Sequence, residues 1–141
     1  MIETIKKPGL IEFPKIGNSP LGYISVSEKA TIGFDISRVF WTYYTPEEII
    51  RGRHAHFKLE QILVAVSGNI KIETECLDSE VGMFELNSPN IGLHVPAYCW
   101  HTMKFSHNSV LLSLSSIEYL ESDYIRDYNV FKKMQLEYGK A

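Results

Sequence analysis

The segment Arg51-Gly52-Arg53-His54-Ala55-His56-Phe57-Lys58-Leu59-Glu60-Gln61, running on to Ser67-Gly68, places two of the chain's five histidines two positions apart. On an extended strand, residues i and i+2 point to one face, with Cβ atoms roughly 7 Å apart. His54 and His56 therefore share a face, and small Ala55 takes the other. Arg51 and Arg53 stand beside the pair. Imidazoles paired on one face beside fixed cations suit a binding cavity better than a sealed core.

Outward from this segment, the chain reads as short runs of β-branched and aromatic residues separated by turns. Strands are predicted at residues 21–26, 36–44, 61–66, 69–74, 81–86, 92–95, 102–105 and 110–114. The turns are Gly17-Asn18-Ser19-Pro20, Ser67-Gly68-Asn69, Leu77-Asp78-Ser79 and Asn87-Ser88-Pro89-Asn90. Many short strands at this spacing predict an all-β sandwich or barrel. Only the tail reads as helix. Ser122 is a candidate N-cap, and Tyr124, Tyr128, Phe131, Met134 and Tyr138 recur at spacings of three and four. That stripe is expected to cover one end of the β-core or to pack on a partner subunit.

Composition narrows the function classes. A length of 141 residues predicts a single domain over 1–141, with 45% hydrophobic and 22% charged residues, as in ordinary globular chains. The net charge of −3 argues against a nucleic-acid partner, so an anionic ligand has to be held by local arginines. Aromatics reach 12%, which suits strands and a lined cavity. Cys76 and Cys99 lack Cys-x-x-Cys spacing and are expected to be buried free thiols in a reducing cytoplasm. The start Met1-Ile2-Glu3-Thr4-Ile5-Lys6-Lys7-Pro8 has no apolar signal core. No apolar run approaches the ~20 residues that span a bilayer. The expectation is cytoplasmic, with no membrane partner.

A second cluster, Gly92-Leu93-His94-Val95-Pro96-Ala97-Tyr98-Cys99-Trp100-His101, completes a layout that resembles the paired motifs of the cupins. That resemblance implies a double-stranded β-helix, a small jelly-roll-like barrel whose inner face holds both clusters. Cupin metal sites take three His and one Glu as ligands. His54, His56 and His101 are present, but the carboxylate position, counted back from Gly68, falls on Gln61. Glu60 is one residue away and faces the opposite side. Tyr98 and Phe105 replace the second motif's usual glycine and asparagine. No metal and no other cofactor are therefore expected, and a metal-dependent cupin oxygenase becomes the alternative reading.

Without metal, neutral imidazoles near pKa 6.5 can take and return protons at neutral pH. One can remove a carbon proton alpha to a ketone while the other moves a proton between adjacent oxygens, with an enediol linking the steps. Arginine's rigid fork of donors suits a diphosphate. The residues thus point to proton transfer on a phosphate-bearing carbonyl compound.

At this point the chain resembles the nucleotide-sugar 3,4-ketoisomerases, a sugar-epimerase-like branch of the cupins. The resemblance is carried by Ser37-Arg38-Val39-Phe40, Arg51-Gly52-Arg53-His54-Ala55-His56, Leu59-Glu60-Gln61 with Val66-Ser67-Gly68, and Leu86-Asn87-Ser88-Pro89. It continues through Gly92-Leu93-His94-Val95-Pro96, Trp100-His101 and Asp123-Tyr124-Ile125-Arg126-Asp127-Tyr128-Asn129-Val130-Phe131. It implies isomerisation of dTDP-4-keto-6-deoxyglucose to a 3-keto-6-deoxyhexose, a metal-free site and a homodimer with exchanged strands. It further implies a place before a 3-aminotransferase and an acyltransferase, toward N-acylated amino sugars of surface glycans such as O-antigen lipopolysaccharide.

By the same resemblance, His56 is the base at sugar C3 and His54 the shuttle between the C3 and C4 oxygens. Arg51 contacts the diphosphate, Arg38 and Gln61 line the cavity, and Trp100 and His101 lie close to the hexose. Lys71, after the Gly68-Asn69 turn, is a further phosphate candidate. Arg126 and Asp127 are expected to stabilise the tail helix or its interface, with no chemistry. Where members often carry Asp-x-Arg-Gly, this chain has Gly17-Asn18-Ser19-Pro20, so an arginine near the hexose is missing there. His101 after the tryptophan points to a galacto product. A 3,5-epimerase is disfavoured, since that family pairs one catalytic His with a Tyr acid. A non-catalytic sugar-binding cupin remains the other alternative.

Overall fold

Period-two alternation sorts the strands' side chains into one inner face and two outer faces, and the sheets follow from that sorting. The computed structural model describes residues 4–140, so Met1 to Glu3 of the N-terminal reading and Ala141 lie outside the described residues. One antiparallel sheet has the order β1 (Gly9–Glu12), β9 (Ile91–Val95), β6 (Gln61–Ser67), β11 (Val110–Ser115), β4 (Arg38–Tyr43). The facing sheet has the order β12 (Tyr124–Ile125), β5 (Ile50–His56), β10 (Cys99–Phe105), β7 (Ile70–Cys76), β8 (Val81–Leu86). A hairpin of β2 (Ile16–Asn18) and β3 (Gly22–Ile24) stands apart. This is the jelly-roll-like all-β barrel that the two histidine clusters led us to expect.

Inward residues from both sheets, among them Leu63, Ala65, Ile70, Ile72, Leu93, Phe105 and Leu111, form a packed core that closes one end of the sandwich. On the outer face of the first sheet, Ile62, Val64 and Leu114 pack under Phe13, Phe34 and Ile32, the last from the short helix α1 (Lys29–Ile32). On the outer face of the second, Ala55, Leu77, Trp100 and Ile125 pack against Phe131 of α2 (Tyr128–Gly139). Phe131 is fully buried, and truncating such a side chain to Ala costs about 3–5 kcal/mol. The open end, opposite the first core, is left for a cavity.

The predicted strands are present with shifted ends, and four further strands, β1, β2, β5 and β12, join them. The helix begins later than Ser122. Asp127 is the N-cap, its carboxylate accepting from Asn129 N at 2.8 Å. Ser122 lies in a 3₁₀ turn (Glu121–Asp123), and Tyr124 and Ile125 are held extended by pairing with His56 and Ala55 of β5. Sheet pairing there overrides the helical spacing of the tyrosines. Cys76 and Cys99 are buried free thiols facing each other across β7 and β10. Among the described residues, no helix is long and apolar enough to cross a membrane.

Candidate active site

A β-bulge in β5 builds the site. His54 pairs with His101 and Gly52 with Thr102, so Arg53 has no partner of its own across the β5–β10 ladder. Gly52 (φ 86°) and Arg53 (φ 59°) both sit in left-handed conformations. A Cβ on Gly52 would lie 2.8 Å from the His101 carbonyl oxygen, so glycine is required there by contact as well as by φ. In a regular strand Arg51 would share a face with Arg53, opposite the histidines. The extra residue rotates the chain, and Arg51, His54 and His56 line one cavity while Arg53 leaves for an outer groove.

The cavity has a volume of about 540 Å³ and is walled by β4, β5, β6, β10, β11 and the β12 strap. Arg38, Arg51, His54, His56, Gln61 and His101 all line it, as the sequence reading placed them. Lys71 and Trp100 do not. Lys71 faces outward on β7 opposite Lys104, on a separate groove with Glu85. Trp100 precedes inward-facing His101 and so points to the outer face, its ring centroid 5.8 Å from Phe131 and 5.1 Å from Tyr128. Alternation along β10 sends the two neighbours to opposite sides.

Hydrogen bonds fix the imidazoles' protons. Nδ1 of His54 lies 3.0 Å from the Gly52 carbonyl oxygen, which only accepts, so Nδ1 carries the proton and Nε2 keeps its lone pair. His101 Nδ1 donates likewise to Cys99 O at 3.0 Å, and its Nε2 accepts from the Gln61 amide at 3.3 Å. His101 is thereby fully bonded at the cavity floor. Nδ1 of His56 approaches Asp123 Oδ2 at 3.3 Å. Burial, aided by its imidazole neighbours, holds His54 down to about 2. Burial also lowers His56, to about 4, against the opposing pull of Asp123. His101, wholly enclosed, is lowered by burial too. All three are neutral at pH 7.

Arginines flank the histidines in the cavity wall. The Arg38 guanidinium stacks 4.3 Å over Phe40 and 5.4 Å from Tyr119, and its buried Nη1 has no partner among the described residues. Arg126 also lines the cavity. It bonds Glu121 with Nε at 2.6 Å and Nη2 at 2.9 Å and lies 4.0 Å over the Tyr124 ring. Tyr119 donates its hydroxyl to the same Glu121.

Two residues, one lining the cavity and one buried behind it, escaped the sequence reading. Tyr124, assigned to a helical stripe, stands 4.3 Å from the His56 ring and 5.1 Å from the His54 ring. Asp123 is buried beneath His56. The signal for both was the aromatic, β-branched Tyr124-Ile125 pair, which has strand propensity and precedes the true cap at Asp127.

The histidines do not fit a resident cupin metal. Gln61 offers a neutral amide already bonded to His101, and the His54 ring stands edge-on to both His56 (76°) and His101 (79°). Glu60 faces away, its carboxylate 3.0 Å from His94 Nε2. Among the described residues, no group of three His, Cys, Asp or Glu converges as a metal ion requires.

Known proteins share this sequence and fold. The family model described as FdtA, WxcM-like C-terminal, matches residues 6–136. The TDP-4-oxo-6-deoxy-alpha-D-glucose-3,4-oxoisomerase of Aneurinibacillus thermoaerophilus is 40% identical over 127 residues, covering 88% of this chain and 89% of that one. The crystal structure of QdtA, a sugar 3,4-ketoisomerase from Thermoanaerobacterium thermosaccharolyticum in complex with TDP, superposes with TM-score 0.87 at 36% identity, covering 92% of this chain and 95% of that one. A histidine-to-asparagine variant of the same enzyme, in complex with TDP-4-keto-6-deoxyglucose, gives TM-score 0.88 at 34% identity over 95% and 97% of the two chains. With paired neutral histidines in a cavity flanked by arginines, the chain belongs to the FdtA family of sugar-nucleotide 3,4-ketoisomerases.

Proposed function

We propose that this protein converts dTDP-4-keto-6-deoxy-D-glucose to the galacto-configured dTDP-3-keto-6-deoxyhexose through an enediol. The observation that carries the reading is the His54–His56 pair, ring centroids 5.0 Å apart, each neutral and each with Nε2 free of protein partners among the described residues. His56 Nε2 takes the proton from C3, and the electron pair flows to the C4 carbonyl oxygen. His54, whose Nε2 carries the lone pair, takes the C3 hydroxyl proton and passes it to that oxygen. Reprotonation at C4 then leaves the ketone at C3, with no net change in atoms or oxidation state.

Arg38 and Arg51 hold the diphosphate, the stacked Arg38 fork supplying fixed donors. Gln61 and His101 shape the floor under the hexose, and the galacto assignment rests on His101. In this reading Lys71 and Trp100 touch no substrate. The protein acts in the cytoplasm as one domain over 1–141, and its product passes to a 3-aminotransferase and an acyltransferase for surface-glycan sugars. A homodimer with exchanged strands is supported by edge strand β4, which exposes Val39, Trp41 and Tyr43 on its outer face.

The test is turnover of dTDP-4-keto-6-deoxyglucose followed by NMR. A 3-keto product is expected from the wild type, and none from His56→Asn. An unchanged substrate, or a product epimerised at C5, overturns the reading.

A further inference from the structure

We infer that Asp123 is a positioning residue for His56, setting which imidazole nitrogen carries the proton and stabilising the imidazolium formed when His56 takes a proton. The inference rests on the ketoisomerase reading for its catalytic consequence. Its structural half stands alone.

His56 and Asp123 are both almost wholly buried, and Nδ1 of His56 has no aligned hydrogen-bond partner. A buried donor is costly to leave unmade. Asp123 is the one carboxylate within salt-bridge distance of it among the described residues, with Oδ2 at 3.3 Å. Bent contacts of this length in free enzymes tighten when substrate binds.

The carboxylate itself is anchored. Oδ1 accepts from Lys58 N at 2.8 Å and Oδ2 from Leu59 N at 3.0 Å, while the Asp123 carbonyl accepts from Phe57 N at 3.0 Å. One residue therefore grips the three amides that follow His56. Tyr124, the next residue, is paired with His56 across β12 and β5 and lies against its ring. This fixes both the position of the carboxylate and the tilt of the imidazole. The carboxylate accepts and cannot donate, so it selects the Nδ1–H tautomer and turns the basic Nε2 into the cavity. His54 reaches the same tautomer by a different route, through Gly52 O. Of the two, His56 alone has a carboxylate within salt-bridge distance among the described residues, so a proton is better held there, which separates a base from a shuttle.

The experiment compares full-length wild type with Asp123→Asn and Asp123→Glu, and records ¹⁵N NMR of the histidines in the wild type. The asparagine amide can donate to Nδ1 and drive His56 to the Nε2–H tautomer. We expect kcat to fall about 100-fold or more, with KM and TDP affinity within about threefold, and Asp123→Glu to recover part of the loss. The wild-type spectrum should show His56 protonated at Nδ1. Wild-type His56 protonated at Nε2 overturns the inference even if neither variant folds. So does an Asp123→Asn enzyme with kcat within threefold of wild type, or one whose only change is a lower Tm. Absence of turnover in the wild type instead defeats the ketoisomerase reading, leaving the tautomer result to judge Asp123.

Discussion

Nδ1 of His54 donates to the carbonyl of Gly52, two residues back on its own strand, at 3.0 Å. The bond exists because Gly52 and Arg53 bulge, and the same bulge brings Arg51 to the histidine face. Gly52→Ala would put a methyl 2.8 Å from His101 O at φ 86°. The left-handed conformation alone costs a non-glycine residue about 1–2 kcal/mol, and the clash adds to it. Denaturant unfolding should show a loss of about 2 kcal/mol or more, and the folded fraction should have lost most of its activity.

Arg38 and Arg51 should act on binding. Each charge-assisted bond to a diphosphate is worth about 1.5–3 kcal/mol, so Arg38→Met should weaken TDP about 10- to 100-fold by calorimetry. Equal affinity in the variant would remove Arg38 from the anion site.

Trp100 should act on folding. Trp100→Ala removes a ring packed on Phe131 and Tyr128, at a cost of about 3–5 kcal/mol. TDP affinity of the folded protein should stay the same, and likewise for Lys71→Ala, which faces another groove. A selective loss of TDP binding in either variant would place that residue at the site.

The histidines set a pH dependence. His54 and His56 are depressed to about 2 and about 4, so below the unfolded value near 6.5 the unfolded chain binds more protons. Their contribution to stability is complete above pH 6.5. It is lost as pH falls toward 4, where His56 titrates, and further toward 2 for His54. Activity should accordingly show no acid limb at pH 6.5, and a kcat/KM profile should stay level from pH 8 down to about 5. A fall centred at 6.5 would mean solvated, ordinary imidazoles.

Much of this was legible because it depends on local rules. His54 and His56 are two apart, and Gln61 faces inward while Glu60 does not, by strand alternation alone. The bulge was not legible. Arg53 adopts φ 59° without being glycine, and only the register against β10 reveals that Arg51, not Arg53, joins the histidines. Tyr124 and Asp123 were hidden by a coincidence of spacing, since tyrosines at helical intervals continue past the helix into β12. Trp100 was assigned to the hexose with His101, against the alternation that separates neighbours on a strand.

The central claim is proton transfer at sugar carbon by His56. The most direct measurement incubates the enzyme with dTDP-4-keto-6-deoxyglucose in deuterated water and follows C3 and C4 by NMR. Wild type should place deuterium at these carbons and yield the 3-keto sugar, and His56→Asn should do neither. His54→Asn should block isomerisation while C3 exchange continues. Full product formation by His56→Asn, or a wild-type substrate that gains no deuterium and no new ketone, would contradict the account.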